Sequence, residues 1–374
     1  MHQSDFTEIT RRIIISGGGT GGHIFPAIAI ANAIKAINPA NELLFVGANG
    51  KMEMEKVPAA GYAIAGLDIQ GIQRSLSLSN LLFPYKLLKS FIKAISIINK
   101  FKPDVAVGVG GYASGPLLYA ASLRGVPYLL QEQNSYPGIT NKSLAGKAAK
   151  ICVAFTGMEL FFPKNKILLT GNPIRKDIFN IKDKSDESYS YFSFTNSKKT
   201  ILVLGGSGGA RTINQSLDAH VQSFLDAGFQ IIWQTGKFYY QDISNKYAQK
   251  SNDSLVITEF LSRMDYAYSI ADLIISRAGA GTISELCIVQ KPVILIPSPT
   301  VAEDHQTKNA MSLVGKNAAI LIADKVAIEK LGSVVLRLLA DETECNQLSE
   351  NIGKLALNDS AEVIALEVLK LAKN

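Results

Sequence analysis

The sequence predicts an α/β fold with two doubly wound, parallel-sheet (Rossmann-like) domains that face each other across a cleft. Three observations predict it. Glycine-rich turns occur at residues 17–22 and 205–209, about half a chain apart. Each turn follows a short apolar run and precedes a segment with helical patterning. The length of 374 residues exceeds what one hydrophobic core usually holds, so two domains of ordinary size are expected.

The predicted strands share one pattern. Short, nearly all-apolar runs alternate with helix-length segments, as expected for parallel strands covered by helices on both faces. The second half restarts this pattern at Thr200. The predicted strands are 12–16, 43–47, 105–109, 127–130, 150–154 and 167–169 in the first half, and 200–204, 230–233, 254–257, 272–276, 292–296 and 318–322 in the second.

A polar stretch from Lys182 to Lys199 interrupts the alternation of strands and helices. Its Lys, Asp, Ser and Asn residues are typical of linkers and exposed loops. We therefore predict a first domain over 1–178, a linker or exposed excursion over 179–199, and a second domain over 200–374. Whether the last helix packs back on the first domain stays open at this point.

The composition narrows the class of protein. Hydrophobic residues make up 47% of the chain, but no apolar stretch is long enough to span a bilayer. The first residues lack the basic-then-apolar pattern of a signal peptide, so we expect a cytoplasmic or peripheral protein. Cys152, Cys287 and Cys345 are unclustered and lie in apolar segments, which predicts core thiols and neither a disulfide nor a metal site.

The net charge of +6 favours an anionic partner, which could be a nucleotide, a nucleic acid or an acidic membrane surface. The sequence has no aromatic RNA-binding motif, no zinc-finger spacing and no dense Lys/Arg tail. A nucleic acid is therefore the weakest of the three, and we expect no nucleic-acid partner.

The two glycine turns predict phosphate binding. A strand that ends in glycines and leads into a helix directs backbone N–H groups and the positive end of the helix dipole at one point. The first turn formally matches the G-x-G-x-x-G motif, so an NAD-dependent oxidoreductase is the alternative. That motif expects an acidic residue at the end of the second strand, and residues 45–50 (FVGANG) offer none.

His23 directly follows the first glycine turn at the start of a predicted helix, so its side chain should face the ligand. The helix dipole lowers the pKa of a histidine in this position and keeps the ring neutral at pH 7, as a general base requires. The alternative is a hydrogen-bonded structural histidine. Glu132 is the second candidate for the base.

A third glycine turn, 277–282, combines backbone N–H donors with the Thr282 hydroxyl and the Glu285 carboxylate, which together suit a diphosphate and a ribose diol. A glutamate in a first helical turn is also favourable for the helix dipole alone. Arg175 is suited to neutralising a diphosphate, although a surface arginine is equally compatible with the sequence. The amide-rich sequences 131–134 and 305–309 are typical of sites that bind sugar hydroxyls through paired hydrogen-bond donors and acceptors.

Seven motifs in fixed order resemble the MurG family. These bacterial transferases add N-acetylglucosamine from UDP-N-acetylglucosamine to an undecaprenyl-diphosphate-linked muramyl peptide. The resemblance covers nearly the whole chain. The motifs are GGGTGGH (17–23), GVGGYASGP (108–116), EQN (132–134), GNPIR (171–175), GGSGGA (205–210), RAGAGTISE (277–285) and HQTKNA (305–310).

The resemblance implies a GT-B fold, inversion at the sugar, and catalysis without a metal or other cofactor. Two positions depart from the family pattern: Gln131 stands where some members have histidine, and Gly208 where others have glutamine. The implied substrate-binding residues are Thr20, Gly21 and Gly22 in the phosphate region, Asn134 by the sugar, Arg175 and Ser207 at the nucleotide phosphates, Leu261 near the uracil, Gly279, Ala280, Gly281, Thr282 and Glu285 around the diphosphate and ribose, and His305 and Gln306 at the N-acetylglucosamine.

The segment from Ile72 to Lys93 alternates apolar and basic residues and contains no acidic residue. Such a surface is typical of segments that lie on anionic lipid, and also of an ordinary helix with its lysines in water. The lipid-linked acceptor of the resembled family favours the membrane. We therefore expect a peripheral protein at the cytoplasmic face of the inner membrane.

Together these observations predict an inverting UDP-N-acetylglucosamine transferase of peptidoglycan synthesis that acts on the muramyl 4-hydroxyl of the lipid-linked pentapeptide. Three alternatives remain: another GT-B transferase with a lipid acceptor, an NAD-dependent oxidoreductase, and a non-catalytic nucleotide-sugar binding subunit. The missing second-strand acid counts against the oxidoreductase. The complete set of candidate site residues in one chain counts against a binding subunit.

Overall fold

The computed structural model describes residues 9–69, 83–174, 176–248 and 253–372. The described residues form two compact units. The first comprises those up to Ile174 together with those from Asp359 onward, and the second comprises those between. Each unit is built on one parallel sheet, so the predicted pair of doubly wound α/β domains is confirmed.

The first unit has a seven-stranded sheet in the order β3-β2-β1-β4-β5-β6-β7. All its pairings are parallel, and helices cover both faces. The strands are β1 Arg12–Gly17, β2 Glu42–Ala48, β3 Ala63–Leu67, β4 Val105–Gly110, β5 Tyr128–Glu132, β6 Lys150–Val153 and β7 Ile167–Leu169. The helices are α1 Gly21–Ile37, α2 Glu53–Ala59, α3 Phe83–Phe101, α4 Ser114–Leu123, α5 Ile139–Leu144 and, from the end of the chain, α14 Ser360–Leu371.

The final helix, α14, belongs to the first unit. Its Ile364, Ala365, Val368 and Leu369 are buried in the same core cluster as residues of β1 and α1. Apolar residues at this spacing lie on one face of a helix. The last helix therefore packs back on the first unit, because it buries its apolar face in the core of that unit.

The second unit has a six-stranded sheet in the order β10-β9-β8-β11-β12-β13, again parallel throughout. Its strands are β8 Thr200–Leu204, β9 Gln230–Gln234, β10 Leu255–Thr258, β11 Leu273–Ser276, β12 Val293–Leu295 and β13 Ile320–Leu321. Its helices are α6 Asp186–Phe192, α7 Arg211–Asp226, α8 Tyr240–Tyr247, α9 Met264–Ile270, α10 Ala280–Val289, α11 His305–Val314, α12 Ala327–Ala340 and α13 Glu342–Gly353.

Residues 179–199 differ from the linker or exposed excursion that their polar composition predicts. They contain α6, which Ser185 caps by accepting a hydrogen bond from the Ser188 backbone N–H. Tyr189, Phe192 and Phe194 are buried in this segment. Burial of three aromatic side chains outweighs the polar composition, because each removes a large apolar area from water.

Among the described residues, no helix has both the length and the apolar character needed to cross a bilayer.

The fold concentrates polar and glycine-rich turns at the carboxyl ends of its two sheets. In doubly wound sheets, ligands bind beyond these ends at the point where the strand order reverses. In this chain the order reverses between β1 and β4 in the first unit and between β8 and β11 in the second.

Candidate active site

In the first unit, the two glycine-rich motifs that follow β1 and β4 lie against each other at the switch point. The Gly18 N–H donates to the Gly110 carbonyl at 3.3 Å. A Cβ at Gly111 would stand 2.3 Å from the Gly18 carbonyl oxygen, so only glycine permits this approach. Helix α1 begins at Gly21 with Thr20 as its N-cap residue. The predicted phosphate-region residues Thr20, Gly21 and Gly22 therefore form the start of a helix at the sheet's switch point.

His23 lies in the first turn of α1 and is half-buried. Its Nδ1 is 3.1 Å from the Gly18 carbonyl oxygen and 3.4 Å from the Thr20 hydroxyl. A carbonyl oxygen only accepts hydrogen bonds, so the neutral ring carries its proton on Nδ1 and its lone pair on Nε2. This tautomer suits a general base that acts through Nε2.

Glu132, at the carboxyl end of β5, is 2% exposed. Its Oε1 accepts from the Asn134 backbone N–H at 3.0 Å and side-chain amide at 3.3 Å. Its Oε2 accepts from the Gly138 N–H at 3.1 Å and from the Asn141 amide at 2.8 Å. Burial raises the pKa of Glu132, and these hydrogen bonds oppose the rise. Because both oxygens are engaged by the 134–141 segment, the geometry favours a positioning role for Glu132 over proton abstraction.

A buried amide chain connects this segment to the GNPIR motif. Gln131 donates to the Asn172 side chain at 3.0 Å, and Asn172 donates to the Gln133 carbonyl at 3.0 Å. Gln133 in turn donates to the Val109 carbonyl at 2.8 Å. Gln131, which departs from the family pattern, is therefore a structural amide here. Arg175, at the end of the same motif, lies outside the described residues.

In the second unit, the turn after β8 packs on the turn after β9. A Cβ at Gly236 would stand 2.1 Å from the Gly209 nitrogen, and both glycines have positive φ, +79° and +89°. The Lys237 N–H donates to the Ser207 carbonyl at 3.0 Å, and the Ser207 side chain is exposed. A Cβ at Gly208 would lie 3.5 Å from the aromatic ring of Phe238, which is an ordinary van der Waals contact. The turn thus presents Ser207 on a tightly fixed backbone next to the start of α7.

The third glycine turn leads into α10, with Gly279 as the N-cap residue. The Arg277 guanidinium binds within the protein: it donates to the Ile296 and Pro297 carbonyls and pairs with Asp324. Glu285 lies in the second turn of α10, not in the first, and accepts a hydrogen bond from the Tyr268 hydroxyl at 3.1 Å. Tyr268 is 1% exposed, so it fixes one carboxylate oxygen of Glu285.

The remaining predicted residues lie at the carboxyl ends of β10 and β12. Leu261 follows β10 and its side chain is buried, so its backbone is the part that a ligand can reach. His305 and Gln306 form the start of α11. Gln306 accepts from the Ser298 N–H at 2.8 Å, which ties its side chain to the loop after β12.

The structure thus gathers the predicted residues into one set for each unit. The first unit brings His23 and the 20–22 turn to β1, beside the end of β4, and Glu132 and Asn134 to the next strand, β5. The second brings its predicted residues to the ends of β10, β8, β11 and β12. Sequence reasoning missed Tyr268 and a buried carboxylate, Glu53, that contacts the first turn. Neither lies in a glycine motif, and both act over a long sequence separation.

Two Rossmann-like units, each with glycine turns flanking the switch point of its sheet, form the GT-B architecture that two-domain glycosyltransferases have. Models of the glycosyltransferase family 28 N-terminal domain and C-terminal domain match residues 13–153 and 200–364. The chain belongs to glycosyltransferase family 28.

Several relatives are similar over nearly their whole length. The chain is 54% identical over 360 residues to a protein of Parabacteroides distasonis, covering 96% of this chain and 98% of the relative. It is 57% identical over 366 residues to one of Phocaeicola vulgatus, covering 98% and 97%. Both are named UDP-N-acetylglucosamine--N-acetylmuramyl-(pentapeptide) pyrophosphoryl-undecaprenol N-acetylglucosamine transferase.

Solved structures share the same fold. The crystal structure of MurG from Acinetobacter baumannii superposes with a TM-score of 0.78 at 27% identity, covering 96% of this chain and 99% of that one. A glycosyltransferase of kitacinnamycin superposes with a TM-score of 0.71 at 12% identity, which shows the fold alone. The sequence-based prediction of the family and of a glycosyltransferase is confirmed.

Proposed function

We propose that this chain transfers N-acetylglucosamine from UDP-N-acetylglucosamine to the 4-hydroxyl of the muramyl residue in undecaprenyl-diphosphate-linked N-acetylmuramyl-pentapeptide. The transfer inverts the configuration at the anomeric carbon of the sugar and is a step of peptidoglycan synthesis. The names of the similar proteins support this donor and acceptor. The structural observation that supports it most directly is the hydrogen bond from His23 Nδ1 to the Gly18 carbonyl, because it presents a neutral imidazole Nε2 beside a phosphate-binding turn.

We assign the donor to the second unit. Backbone N–H groups of residues 205–209 and 279–282, together with Ser207 and Arg175, would bind the diphosphate. Glu285 would accept hydrogen bonds from the ribose hydroxyls, while the hydrogen bond from the Tyr268 hydroxyl holds the Glu285 carboxylate in place. Leu261 would contact the uracil through its backbone, and Gln306 with His305 would bind the N-acetylglucosamine. For the described residues, the assignments are supported by their position in the turns and helix starts that follow the strands of this sheet.

We assign the acceptor to the first unit, where Thr20, Gly21 and Gly22 would bind its diphosphate and Asn134 the sugar. In a single in-line displacement, the acceptor O–H bond breaks while its oxygen bonds to the anomeric carbon, and His23 Nε2 takes the proton. The bond from that carbon to UDP breaks with its electron pair on UDP. The sugar passes through an oxocarbenium-like state. Fixed N–H dipoles that point at the negative charge on UDP each stabilise the transition state by on the order of a few kcal/mol in a water-excluded site.

We also propose that the enzyme is peripheral, at the cytoplasmic face of the inner membrane, and docks on anionic lipid through the segment Ile72 to Lys93. The part of this segment before residue 83 lies outside the described residues. The described part belongs to α3, where Tyr85, Leu88 and Ile92 are 65%, 59% and 60% exposed. Lys89 and Lys93 are exposed on the same helix, and Lys89 pairs with Asp68 at 3.3 Å. Exposed apolar and cationic side chains on one helix are what binding to an anionic membrane requires.

One assay tests donor, acceptor and metal dependence together. The purified chain is incubated with labelled UDP-N-acetylglucosamine and a short-chain acceptor lipid, with and without EDTA. We expect label in the lipid product in both cases. Calorimetry with UDP-N-acetylglucosamine, UDP and NAD separates the alternatives, because tighter binding of NAD than of UDP would contradict the proposal. Binding of the donor without any transfer would indicate a non-catalytic binding subunit.

A further inference from the structure

Glu53, at the start of α2, is a buried carboxylate that the site described above does not use. It is 1% exposed. Its Oε2 accepts a hydrogen bond from the Gly19 N–H at 2.9 Å, and its Oε1 accepts one from the Ala48 N–H at 2.9 Å. The carboxylate therefore connects the first glycine turn to the end of β2. A buried charge of this kind is retained only where hydrogen bonds compensate it.

The backbone is shaped to admit this carboxylate. A Cβ at Gly18 would stand 2.2 Å from Glu53 Oε1, and a Cβ at Gly47 would stand 2.5 Å from Glu53 Cγ. Gly19 has φ +86°, a conformation that side chains with a Cβ rarely adopt. The glycines of the turn thus serve the contact with Glu53 as well as the approach of a phosphate.

One peptide unit joins Glu53 to His23. The N–H of Gly19 donates to Glu53, and the carbonyl of the same peptide bond, that of Gly18, accepts from His23 Nδ1 at 3.1 Å. In a planar trans peptide the N–H and C=O groups lie in the plane and point in opposite directions, so the carboxylate and the imidazole lie at opposite edges of one rigid planar unit. Hydrogen bonds in such a chain polarise one another.

We propose that Glu53 is a positioning residue for His23, acting through the Gly18–Gly19 peptide unit. This inference rests on the proposed function, in which His23 is the base. Glu53 holds the peptide plane so that the Gly18 carbonyl keeps the His23 proton on Nδ1 and leaves the lone pair on Nε2. When Nε2 takes the proton of the acceptor hydroxyl, the imidazolium retains its Nδ1–H bond to the polarised carbonyl, and the negative charge of Glu53 stabilises the positive ring.

The variant Glu53→Gln keeps the size of the side chain but removes its charge and one of its two acceptor oxygens. We expect kcat to fall about ten- to a hundredfold, the range typical of groups that orient a metal-bound histidine, while KM for UDP-N-acetylglucosamine changes less than about twofold. Glu55→Gln is the matched control on the same helix, since Glu55 is exposed and pairs with Lys56. It should leave both constants unchanged.

A second measurement is independent of activity. In protein labelled with ¹⁵N in its histidine rings, the His23 signals are assigned by their absence in His23→Ala. The wild-type ring should be the tautomer with the proton on Nδ1, and Glu53→Gln should show a mixture of both tautomers. An Nε2–H tautomer in the wild type overturns the proposal even if the variant does not fold. Unchanged kcat and unchanged ring signals in Glu53→Gln also overturn it, whereas an inactive wild type with the expected tautomer contradicts only the proposed function.

Discussion

The imidazole of His23 lies directly against Gly110, so that a Cβ at Gly110 would stand 2.8 Å from both Cδ2 and Nε2 of the ring. Gly110 also has φ +100°, which favours glycine on its own. The glycine-rich sequence at the end of β4 therefore supports the candidate base, in addition to any contact of its own with a ligand. Two strands that neighbour each other in the sheet, β1 and β4, bring these residues together.

Gly110→Ala should displace the His23 ring and lower kcat at least about tenfold, because a small misplacement of a reacting group is costly. Donor affinity should change little. Backbone strain at positive φ should also cost about 1–3 kcal/mol of stability. Gly125→Ala is the matched control, since Gly125 has φ +71° with nothing within 4 Å of its Cβ position. Equal kcat values for the two variants would contradict the role of this contact.

His23→Ala should lower kcat by roughly 10² to 10⁴ while donor affinity changes little, since a general base acts in the transition state. Initial rates over a range of donor concentrations, together with calorimetry of UDP, measure the two effects separately. Arg175→Ala should instead weaken UDP binding. A His23→Ala variant that keeps kcat within about threefold of wild type would indicate a different base.

Glu285 and Tyr268 predict how the donor ribose is recognised. Glu285→Gln should weaken UDP binding, and Tyr268→Phe should weaken it about three- to tenfold, because one hydrogen bond to the carboxylate is lost. The sharper test uses 2′-deoxy-UDP as the second ligand. Wild type should prefer UDP, while Glu285→Gln should bind both ligands with similar affinity. A variant that keeps the full preference for UDP would exclude Glu285 from the ribose site.

The pKa of Glu132 predicts a pH dependence of stability. Burial raises this pKa above its ordinary value of 4.5, so the folded state holds the proton more tightly than the unfolded state does. Its contribution to stability is therefore lost as pH rises through the folded-state pKa. Glu132→Gln does not titrate, so its Tm minus that of wild type should become more positive as the pH rises above the ordinary pKa of 4.5.

Glu55→Gln gives the control for this measurement. Lys56 lowers the pKa of Glu55, first through a hydrogen bond and second through its charge. A lowered folded-state pKa contributes stability that is already complete above the ordinary pKa of 4.5, so the Tm difference of Glu55→Gln should stay nearly constant as the pH rises above that value. A difference for Glu132→Gln that is constant across the pH range would contradict the burial effect.

The strands and glycine turns were predictable because their signals are local. Each predicted strand is present within two residues of its expected bounds, whereas β3, Ala63–Leu67, was missed because three of its five residues are Ala or Gly, which are weak strand formers. The partners of the site residues were not predictable. Glu53 contacts Gly19 across 34 residues and Tyr268 contacts Glu285 across 17. Such contacts depend on which strands become neighbours in the sheet, and the spacing of residues in the sequence does not predict the order of the strands.

Docking on the membrane should depend on the exposed face of α3. Its Tyr85, Leu88 and Ile92 offer apolar insertion. Lysines near an anionic surface contribute about 1 kcal/mol each, and the attraction falls with salt. Vesicle sedimentation should therefore show wild type bound to anionic vesicles at low salt and released as salt rises.

The variant with Lys86→Glu, Lys89→Glu and Lys93→Glu reverses the charge of this face and should sediment less with the same vesicles. Its activity on a soluble acceptor controls for folding. Lys100→Glu, at the end of the same helix, is the matched single-site control and should sediment almost as wild type does. If the triple variant and wild type sediment equally on anionic vesicles at low salt, α3 only packs on the sheet, and the lipid-linked acceptor binds through another surface.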